Sequence, residues 1–290
     1  MFVLFTDTDC DITPGLKEKL GCEFISMPYT IDGKDIYPYI DFTEYDSKAY
    51  FNLLRNGCLP KTSGLSPETY INYFEPYIKD GKDILYVHFS KAMSGTFTAL
   101  KIAIDTLEEK YPNNTVYTID TKGISAISLL ILEEVSKLCK QGKSIQEILA
   151  WADENVNKFG IFFYVDNLKF FKLSGRVSNI TATMGTIFDI HPIIHVNKDG
   201  VMTSLTKARG KKATLQKVIS LVCEYQENIQ DYTVMIAHSD AEDIAKQAEK
   251  LLEEKFGKLN IEYTVVNPTI GAHCGPDCFG IAFRSKGRLD

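Results

Sequence analysis

The sequence lacks any long apolar segment. None of its 290 residues belongs to a run approaching the 18 or so apolar residues that a membrane-spanning helix needs. Its first residues, MFVLFTDTDCD, combine a short apolar run with acidic side chains, whereas a secretory signal needs a basic start and a longer apolar segment. We therefore expect a cytoplasmic protein without a membrane span.

The sequence also lacks a paired cysteine framework. Its seven cysteines are odd in number and scattered, at positions 10, 22, 58, 139, 223, 274 and 278. This pattern excludes a small disulfide-stabilised domain and agrees with a cytoplasmic location. His273, Cys274 and Cys278 match no familiar zinc spacing, so we expect neither a metal site nor a cofactor.

A basic excess is missing as well, since the net charge is −6. Nucleic-acid binding depends on a basic surface, so this balance argues against nucleic acid as a partner. One basic cluster, residues 207–212, lies at a predicted helix start. It is either a solvated face or a contact for a phosphate, an acidic partner or anionic lipid headgroups.

The sequence does contain a regular alternation of short apolar runs and helical patterns. In the first half, the predicted strands are 2–6, 23–28, 84–89 and 115–119, and the predicted helices are 67–79, 94–110, 123–140 and 144–158. Strands separated by helices of this length predict a parallel sheet with covered faces. The continuous apolar run ILYVHF is typical of a strand buried on both sides.

The pattern changes after Gly160. A strand at 161–165 and a short helix at 166–173 precede two runs that flank Asn-Lys-Asp-Gly, a hairpin signal. The elements predicted after the hairpin are a helix at 212–227, a strand at 233–238, a helix at 241–256 and a strand at 261–266. We therefore predict two α/β domains, one at 1–158 with a parallel sheet and one at 159–290 with a mixed sheet.

Three loops rich in small and hydroxyl residues lie beside strands or at helix starts. Residues 90–96 follow a buried strand, and loops at the carboxyl ends of parallel strands are where ligands bind. The helix start there offers backbone N–H groups and a positive dipole end to a carboxylate or a phosphate. Residues 61–67 and 271–278 form the other loops, and the latter contains His273. Each loop alone also fits a plain interpretation, a capped helix start or a tight turn.

Two further groups of polar residues have both a metal-binding and a structural interpretation. Asp7, Asp9 and Asp11 follow the first strand, where carboxylates bind Mg²⁺ in several phosphotransferases. We favour their capping of the next turn. His191 and His195 lie four residues apart in a predicted strand and so share a face. Because no third ligand is evident, we interpret them as core or interface histidines.

Taken together, these segments resemble the DegV family over residues 2–284. TDTDCDI at 6–12 resembles the family's TDSxxDL opening, and TSGLSP at 62–67 resembles its TSQPSP loop. The other matches, in chain order, are MSGTF at 93–97 to LSGTY, IDT at 119–121 to IDS, KLSGRV at 172–177 to KKGGRI, the hairpin and basic segment at 199–213, and HCGPD at 273–277 to HxGPG. The chain departs from these motifs at Thr8, Gly64, Leu65, Ser174 and Asp277. One match alone is weak, but seven in the same order carry the resemblance.

The resemblance implies one long-chain fatty acid, such as palmitate or oleate, held in a tunnel between the two domains. The positions to which the family's carboxylate contacts map are Thr62 and Ser94, with Ser63, Gly95, Arg176 and His273 as helpers. The apolar candidates for the tunnel wall, most of which we expect to be ordinary core, are Phe162, Phe163, Tyr164, Phe170, Phe171, Ile187, Phe188 and Ile190.

The resemblance also implies a lipid-binding protein rather than an enzyme. Well-understood members hand their acyl group to a separate fatty acid kinase subunit, which phosphorylates the carboxylate. A role in lipid transport or fatty acid metabolism and a transient contact with the membrane surface follow from it. Arg209, Lys211 and Lys212 are the candidate residues for contact with such a partner or with a membrane.

Two other interpretations remain open. In the first, Ser94 is a nucleophile and His273 its base, giving an acyl hydrolase, although Ser94 is not in a G-x-S-x-G elbow. In the second, Asp7, Asp9 and the loop at 90–96 bind a nucleotide, although the spacing is not that of a P-loop.

Overall fold

The computed structural model describes residues 2–175 and 189–290. The strands are β1 (Phe2–Asp7), β2 (Glu23–Ile25), β3 (Tyr29–Ile31), β4 (Lys34–Ile36), β5 (Lys61–Thr62), β6 (Asp83–His88), β7 (Val116–Asp120), β8 (Phe159–Tyr164), β9 (Ile190–Val196), β10 (Met202–Arg209), β11 (Thr233–His238), β12 (Asn260–Val265) and β13 (Phe279–Arg284). The α-helices are α1 (Pro14–Leu20), α2 (Ser47–Arg55), α3 (Pro67–Lys79), α4 (Thr96–Lys110), α5 (Ala126–Lys140), α6 (Ile145–Asn155), α7 (Lys169–Ser174), α8 (Lys211–Tyr225), α9 (Glu242–Phe256) and α10 (Pro268–Cys274). Within the two described ranges, no helix has the length and apolar character needed to cross a membrane.

Strands β2, β1, β6 and β7 form a parallel sheet in that order. Successive side chains of a strand point to opposite faces, so the two faces bury different residues. Phe5, Ile84 and Tyr86 pack in one cluster with α3 and α4, whereas Leu85 and Val87 belong to the core on the other face. The parallel α/β arrangement predicted for the first half is confirmed.

Strands β10, β9, β8, β13, β11 and β12 form a second sheet in that order. β11 and β12 pair in parallel and the other neighbours pair antiparallel, so this sheet is mixed, as predicted. The predicted hairpin is formed by β9 and β10, with a bulge between Ser204 and Thr206. The sequence pattern did not predict β13, because Gly280 interrupts its apolar run and a turn-rich loop precedes it. This strand nevertheless lies inside the sheet, between β8 and β11.

Helix α5 lies between the two sheets. It is apolar around most of its circumference, which is typical of a helix covered on more than one side. It packs against β8, β11 and β13, and it shares a hydrophobic cluster with Leu85 and Val87 of the parallel sheet. Helices α8 and α9 cover the outer face of the mixed sheet. One core therefore runs through both halves.

The domain boundary near residue 158 stays a prediction. The mixed sheet begins with β8 at Phe159, close to that position. Helix α5 precedes the boundary, yet it packs on the mixed sheet. The mixed sheet and the helix that covers its inner face therefore come from opposite sides of residue 158 in the sequence.

Strands β4, β3 and β5 form a small antiparallel sheet that the sequence pattern did not predict. Each has only two or three residues, too few to show an alternation. Pairing of Tyr29 with Thr62 fixes the start of the loop that leads to α3. Helix α3 begins as predicted, with the Ser66 side chain accepting a hydrogen bond from Thr69 N–H and Pro67 in the first turn.

Candidate functional site

A cavity lies between the loops at the carboxyl ends of the parallel strands and the inner face of the mixed sheet. Its empty volume is about 1000 Å³, which includes open solvent at its mouth. Four lining residues form a hydroxyl-rich group, here called the polar end: Thr62, Ser63, Ser94 and His273. Six others lie on strands of the mixed sheet and form the sheet wall: Ile161, Phe163, Val196, Met202, Ala237 and Gly280. A mostly apolar cavity with a few converging polar groups is the usual form of a small-molecule site.

At the polar end, Thr62 and His273 contact each other. The Oγ1 atom of Thr62 and the Nε2 atom of His273 are 2.9 Å apart and share a hydrogen bond. His273 is held in place by α10. The N-cap residue of this helix is Asn267, and its side chain accepts hydrogen bonds from Thr269 N–H and Ile270 N–H. Two motifs that are far apart in the sequence thus meet at one point of the cavity.

The loop that carries Thr62 lies directly on the start of α4. A Cβ atom at Gly64 would be 3.1 Å from the Cβ atom of Thr96. Thr96 Oγ1 accepts a hydrogen bond from Leu65 N–H at 3.0 Å and shares another with the Tyr70 hydroxyl at 2.9 Å. This close approach explains the glycine at position 64, where the motif resembled here has glutamine.

Ser94 lies two residues before Thr96, the first residue of α4. Its Oγ atom accepts a hydrogen bond from Thr96 N–H at 3.3 Å, and Gly95 at the N-cap makes no side-chain capping bond. The first N–H groups of such a helix carry partial positive charge. Gly95 lines a wider polar depression that adjoins the cavity at Ser94 and Met202. Hydroxyl groups therefore border the cavity beside a helix start, and this combination suits a carboxylate.

The loop after α10 contains two residues in the left-handed region of backbone space. Gly275 has a φ of 73°, and the ring of Phe170 occupies the space where its Cβ would lie. Asp277 has a φ of 60° and replaces a motif glycine, consistent with the tolerance of aspartate for this conformation. Its carboxylate lies 3.0 Å from Nη2 of Arg55, and Arg55 also pairs with Asp240 at 2.6 Å. Asp277 therefore ties this loop to α2.

The acidic start of the chain has structural contacts. Asp7 accepts hydrogen bonds from a backbone N–H at 3.0 Å and from the Tyr86 hydroxyl at 2.9 Å. Asp11 accepts from the Ser125 hydroxyl and from Asn267 N–H. Burial raises the pKa of Asp7 and of Asp11 to about 7. In residues 2–175 and 189–290, no group of His, Cys, Asp and Glu is arranged to hold a metal ion.

The remaining predicted contacts lie elsewhere. Arg176 is outside the described residues. Arg209 ends β10, whereas Lys211 and Lys212 open α8, and all three are exposed. Lys211 pairs with Asp166 at 2.9 Å. None of these three basic residues is among the described side chains that line the cavity.

The wall of the cavity was predicted only in part. Phe163 and Phe171 line it. Phe162 and Tyr164 belong instead to the cluster on the helix-covered face of the mixed sheet, because strand residues alternate between faces. Phe170 packs in the core, and Ile190 begins β9. Ile187 and Phe188 lie outside the described residues.

The cavity residues that sequence reasoning missed include small and polar ones. Ala237, Gly280 and Asp9 line the cavity together with Met27 and Val266. Gly280 lies in the strand that was not predicted. Ala237 lies in an ordinary apolar run, so nothing in the sequence marked it as a cavity residue. The alternation in β8 and β11 was the available signal for deciding which of their residues face inward.

Comparisons with known proteins agree with this architecture. The family model described as "Uncharacterised protein, DegV family" matches residues 1–286. The chain belongs to the DegV family. A DegV domain-containing protein of Clostridium perfringens is 33% identical over 282 residues, which cover 97% of each chain.

Solved structures share this two-domain α/β fold. A stearic acid-binding protein of Eubacterium ventriosum superposes with a TM-score of 0.86 at 21% identity, covering 99% of each chain. A fatty acid-binding DegV family protein of Thermus thermophilus gives 0.85 at 22% identity, covering 98% of this chain and 99% of its own. The predicted DegV fold, with a parallel N-terminal sheet and a mixed C-terminal sheet, is confirmed.

At two positions where this DegV protein departs from the motifs, the side-chain hydroxyl makes a hydrogen bond. Thr8 stands where serine is usual, and its Oγ1 accepts a hydrogen bond from Met27 N–H at 2.9 Å. Ser174 replaces a glycine, and its hydroxyl donates to the Phe171 carbonyl at 2.9 Å. Gly175 after it keeps the left-handed φ of 70° that ends α7.

Proposed function

We propose that this DegV protein binds one long-chain fatty acid, such as palmitate or oleate, in the cavity between its two halves. The acyl chain lies along the sheet wall and the carboxylate lies at the polar end. The observation that carries this proposal is the junction of a mainly apolar cavity with hydroxyl groups and a helix start. The Eubacterium and Thermus proteins, which share the fold, are described as binding stearic acid and fatty acid, and this supports a fatty acid as the ligand.

Burial of the acyl chain supplies most of the binding free energy. About 15 methylenes contribute on the order of 12 kcal/mol at about 0.8 kcal/mol each, as an upper bound. Loss of free motion and ordering of the flexible chain offset much of this gain. Removal of one charge-assisted hydrogen bond to the carboxylate costs about 1.5–3 kcal/mol. The polar end therefore orients the ligand more than it retains it.

Thr62 and Ser94 donate hydrogen bonds to the carboxylate in this proposal, and Ser63 and the Gly95 N–H lie beside them. His273 positions Thr62: when Nε2–H of His273 donates to Thr62 Oγ1, the Thr62 hydroxyl proton is left for the carboxylate. The start of α4 adds a favourable electrostatic potential for the negative charge.

The protein presents this carboxylate to a partner, a fatty acid kinase, and serves fatty acid metabolism or lipid transport without transforming the acid itself. A transient contact with an anionic membrane surface accompanies exchange of the lipid. The exposed Arg209 and Lys212 suit such a contact, because basic side chains are attracted to anionic headgroups. Leu173, which is 63% exposed, is a separate apolar candidate.

The hydrolase interpretation makes a different use of the polar end. It needs His273 to take a proton from Ser94. In the described contacts, however, His273 Nε2 bonds to Thr62, and Ser94 Oγ accepts from Thr96 N–H. This pairing favours the binding role. Hydrolysis of a p-nitrophenyl ester that disappears in Ser94→Ala would overturn it.

Native mass spectrometry of the purified protein, followed by denaturation and organic extraction, tests the proposal. We expect a single adduct with the mass of a long-chain fatty acid, recovered in the extract. A protein that carries no adduct and takes up neither added palmitate nor oleate would overturn the proposal.

A further inference from the structure

The sheet wall contains two adjacent positions with very small side chains. Ala237 of β11 and Gly280 of β13 are direct partners across the antiparallel ladder, and both line the cavity. The other members of the sheet wall, Ile161, Phe163, Val196 and Met202, are large. The wall therefore has a local depression at Ala237, where β11 runs beside β13.

The two small residues have different packing reasons. A Cβ atom at Gly280 would lie 2.7 Å from the Cβ atom of Phe163, so Phe163 takes up the space above this glycine. Because Gly280 has no side chain, Phe163 can occupy this position. Ala237 is only 4% exposed, and its methyl group borders the empty cavity. Protein interiors are close-packed, so open volume beside a buried alanine is space that a ligand can fill.

The depression belongs to the part of the site that meets the acyl chain. The polar-end residues lie on loops or at the ends of short elements, whereas Ala237 lies within a central strand that packs against α5. The next residue, His238, accepts a hydrogen bond from Val266 N–H, and Val266 also lines the cavity. Val266 and Ala237 therefore line the cavity as members of one hydrophobic cluster.

We propose that Ala237 sets the limit on acyl-chain bulk in this cavity and so selects which fatty acids are held, with Gly280 fixing Phe163 beside it. This inference rests on the proposed function and adds a determinant of specificity to it. A larger side chain at 237 fills the depression and displaces methylenes of the ligand. Leucine adds three carbon atoms to alanine and therefore excludes about three methylenes in a close-packed site.

A graded series, Ala237→Gly, wild type, Ala237→Val and Ala237→Leu, tests the inference. Each protein is stripped of lipid, equilibrated with an equimolar mixture of laurate, myristate, palmitate and stearate, and analysed by native mass spectrometry and extraction. We expect the bound stearate-to-myristate ratio to fall steadily from glycine to leucine. The fall from wild type to leucine should be roughly tenfold or more, from the free energy of the excluded methylenes.

Ala103→Val is the matched control. Ala103 is fully buried among α3 and α4, in the cluster on the far face of the parallel sheet, so it receives the same added volume without facing the ligand. We expect it to lower stability and to leave the bound ratio unchanged. Ala237→Gly and Ala237→Val keep the test decisive if the leucine variant does not fold.

The outcomes separate the two proposals. If the wild type takes up none of the four acids, the proposed function fails and this inference fails with it. If the wild type binds and the ratio stays the same across the series, or shifts equally in Ala103→Val, the assignment of Ala237 alone is overturned.

Discussion

The polar end and the sheet wall of the cavity are built in different ways. Each side chain of the polar end stands on a loop or near an element terminus, and Thr62, His273 and Ser94 are held by directed hydrogen bonds. The sheet wall follows from strand alternation alone, and its contacts with a ligand have no preferred direction. In the proposed function, placement of the carboxylate therefore depends on a few backbone geometries, whereas retention of the acyl chain is spread over many contacts.

The largest expected effect is on the free energy of unfolding and concerns Asp11. This residue accepts hydrogen bonds from Asn267 N–H, at the start of α10, and from the Ser125 hydroxyl, at the start of α5. It therefore connects the helix that carries His273 of the polar end to α5. Burial raises the pKa of Asp11 from 3.8 to about 7. The folded state thus holds the proton more tightly than the unfolded state. The contribution of Asp11 to stability is full below about pH 4 and is lost as the pH rises through about 7.

We expect the free energy of unfolding to fall over this window by on the order of 4 kcal/mol from Asp11. Urea unfolding at a series of pH values measures the slope. Asp11→Asn should remove its share of the slope while Asp7, whose pKa is also raised to about 7 by burial, keeps its own. An equal slope in the variant would mean that Asp11 is ionised in the folded state.

The next largest effect is expected at the loop that supports the polar end. Gly275→Ala introduces a side chain at a φ of 73° and against the ring of Phe170. We expect a loss of about 2–4 kcal/mol in unfolding free energy, from backbone strain and overpacking together, and weaker positioning of the bound acid. Urea denaturation measures the loss.

Gly257→Ala is the matched control for Gly275→Ala. Gly257 has a φ of 75° and no neighbouring atom within 4 Å of an added Cβ. It should lose only the strain, about 1–3 kcal/mol. Equal losses in the two variants would show that Phe170 yields and that the loop is less tightly fixed than the structure indicates.

A head-group variant separates the two regions directly. Thr62→Val removes the hydroxyl and keeps the shape, so acyl-phosphate formation with a fatty acid kinase should fall about tenfold to a hundredfold. The mass adduct should persist, because the sheet wall still holds the chain. Thr62→Ser retains the hydroxyl and should stay near wild type. If Thr62→Val lost the adduct altogether, retention would depend on the polar end.

The smallest effect is expected for Asp277→Gly, which restores the motif glycine. The substitution relieves a left-handed aspartate but removes a partly exposed ion pair to Arg55, and each change is worth about 1 kcal/mol or less. The net change in thermal unfolding should be close to zero. Asp277→Ala loses the pair and keeps the strain, so it should be less stable than the glycine variant.

The polar end was easier to predict than the sheet wall for a physical reason. Loop geometry needs particular residue types, and Ser66, Pro67 and His273 mark such places in the sequence. Strand faces need only apolar side chains, so Phe162 and Phe163 look alike although just one of them faces the cavity. The strand containing Gly280 was missed for another reason, because this glycine interrupts its apolar run.

Long-range packing accounts for the rest of what the sequence could not show. The alternation predicted both sheets, but nothing in residues 126–140 indicates that α5 covers the mixed sheet. The approach of Gly64 to Thr96 is equally invisible, because it joins two loops through space.

The shared helix α5 has a consequence for cutting the chain. A fragment that ends before Phe159 carries α5 with an apolar face stripped of β8, β11 and β13. A fragment that begins there carries a mixed sheet with a bare inner face. Each fragment therefore exposes an apolar surface that is complementary to the other. The two halves, produced as separate polypeptides, should associate into one complex, and the cavity should form only in that complex.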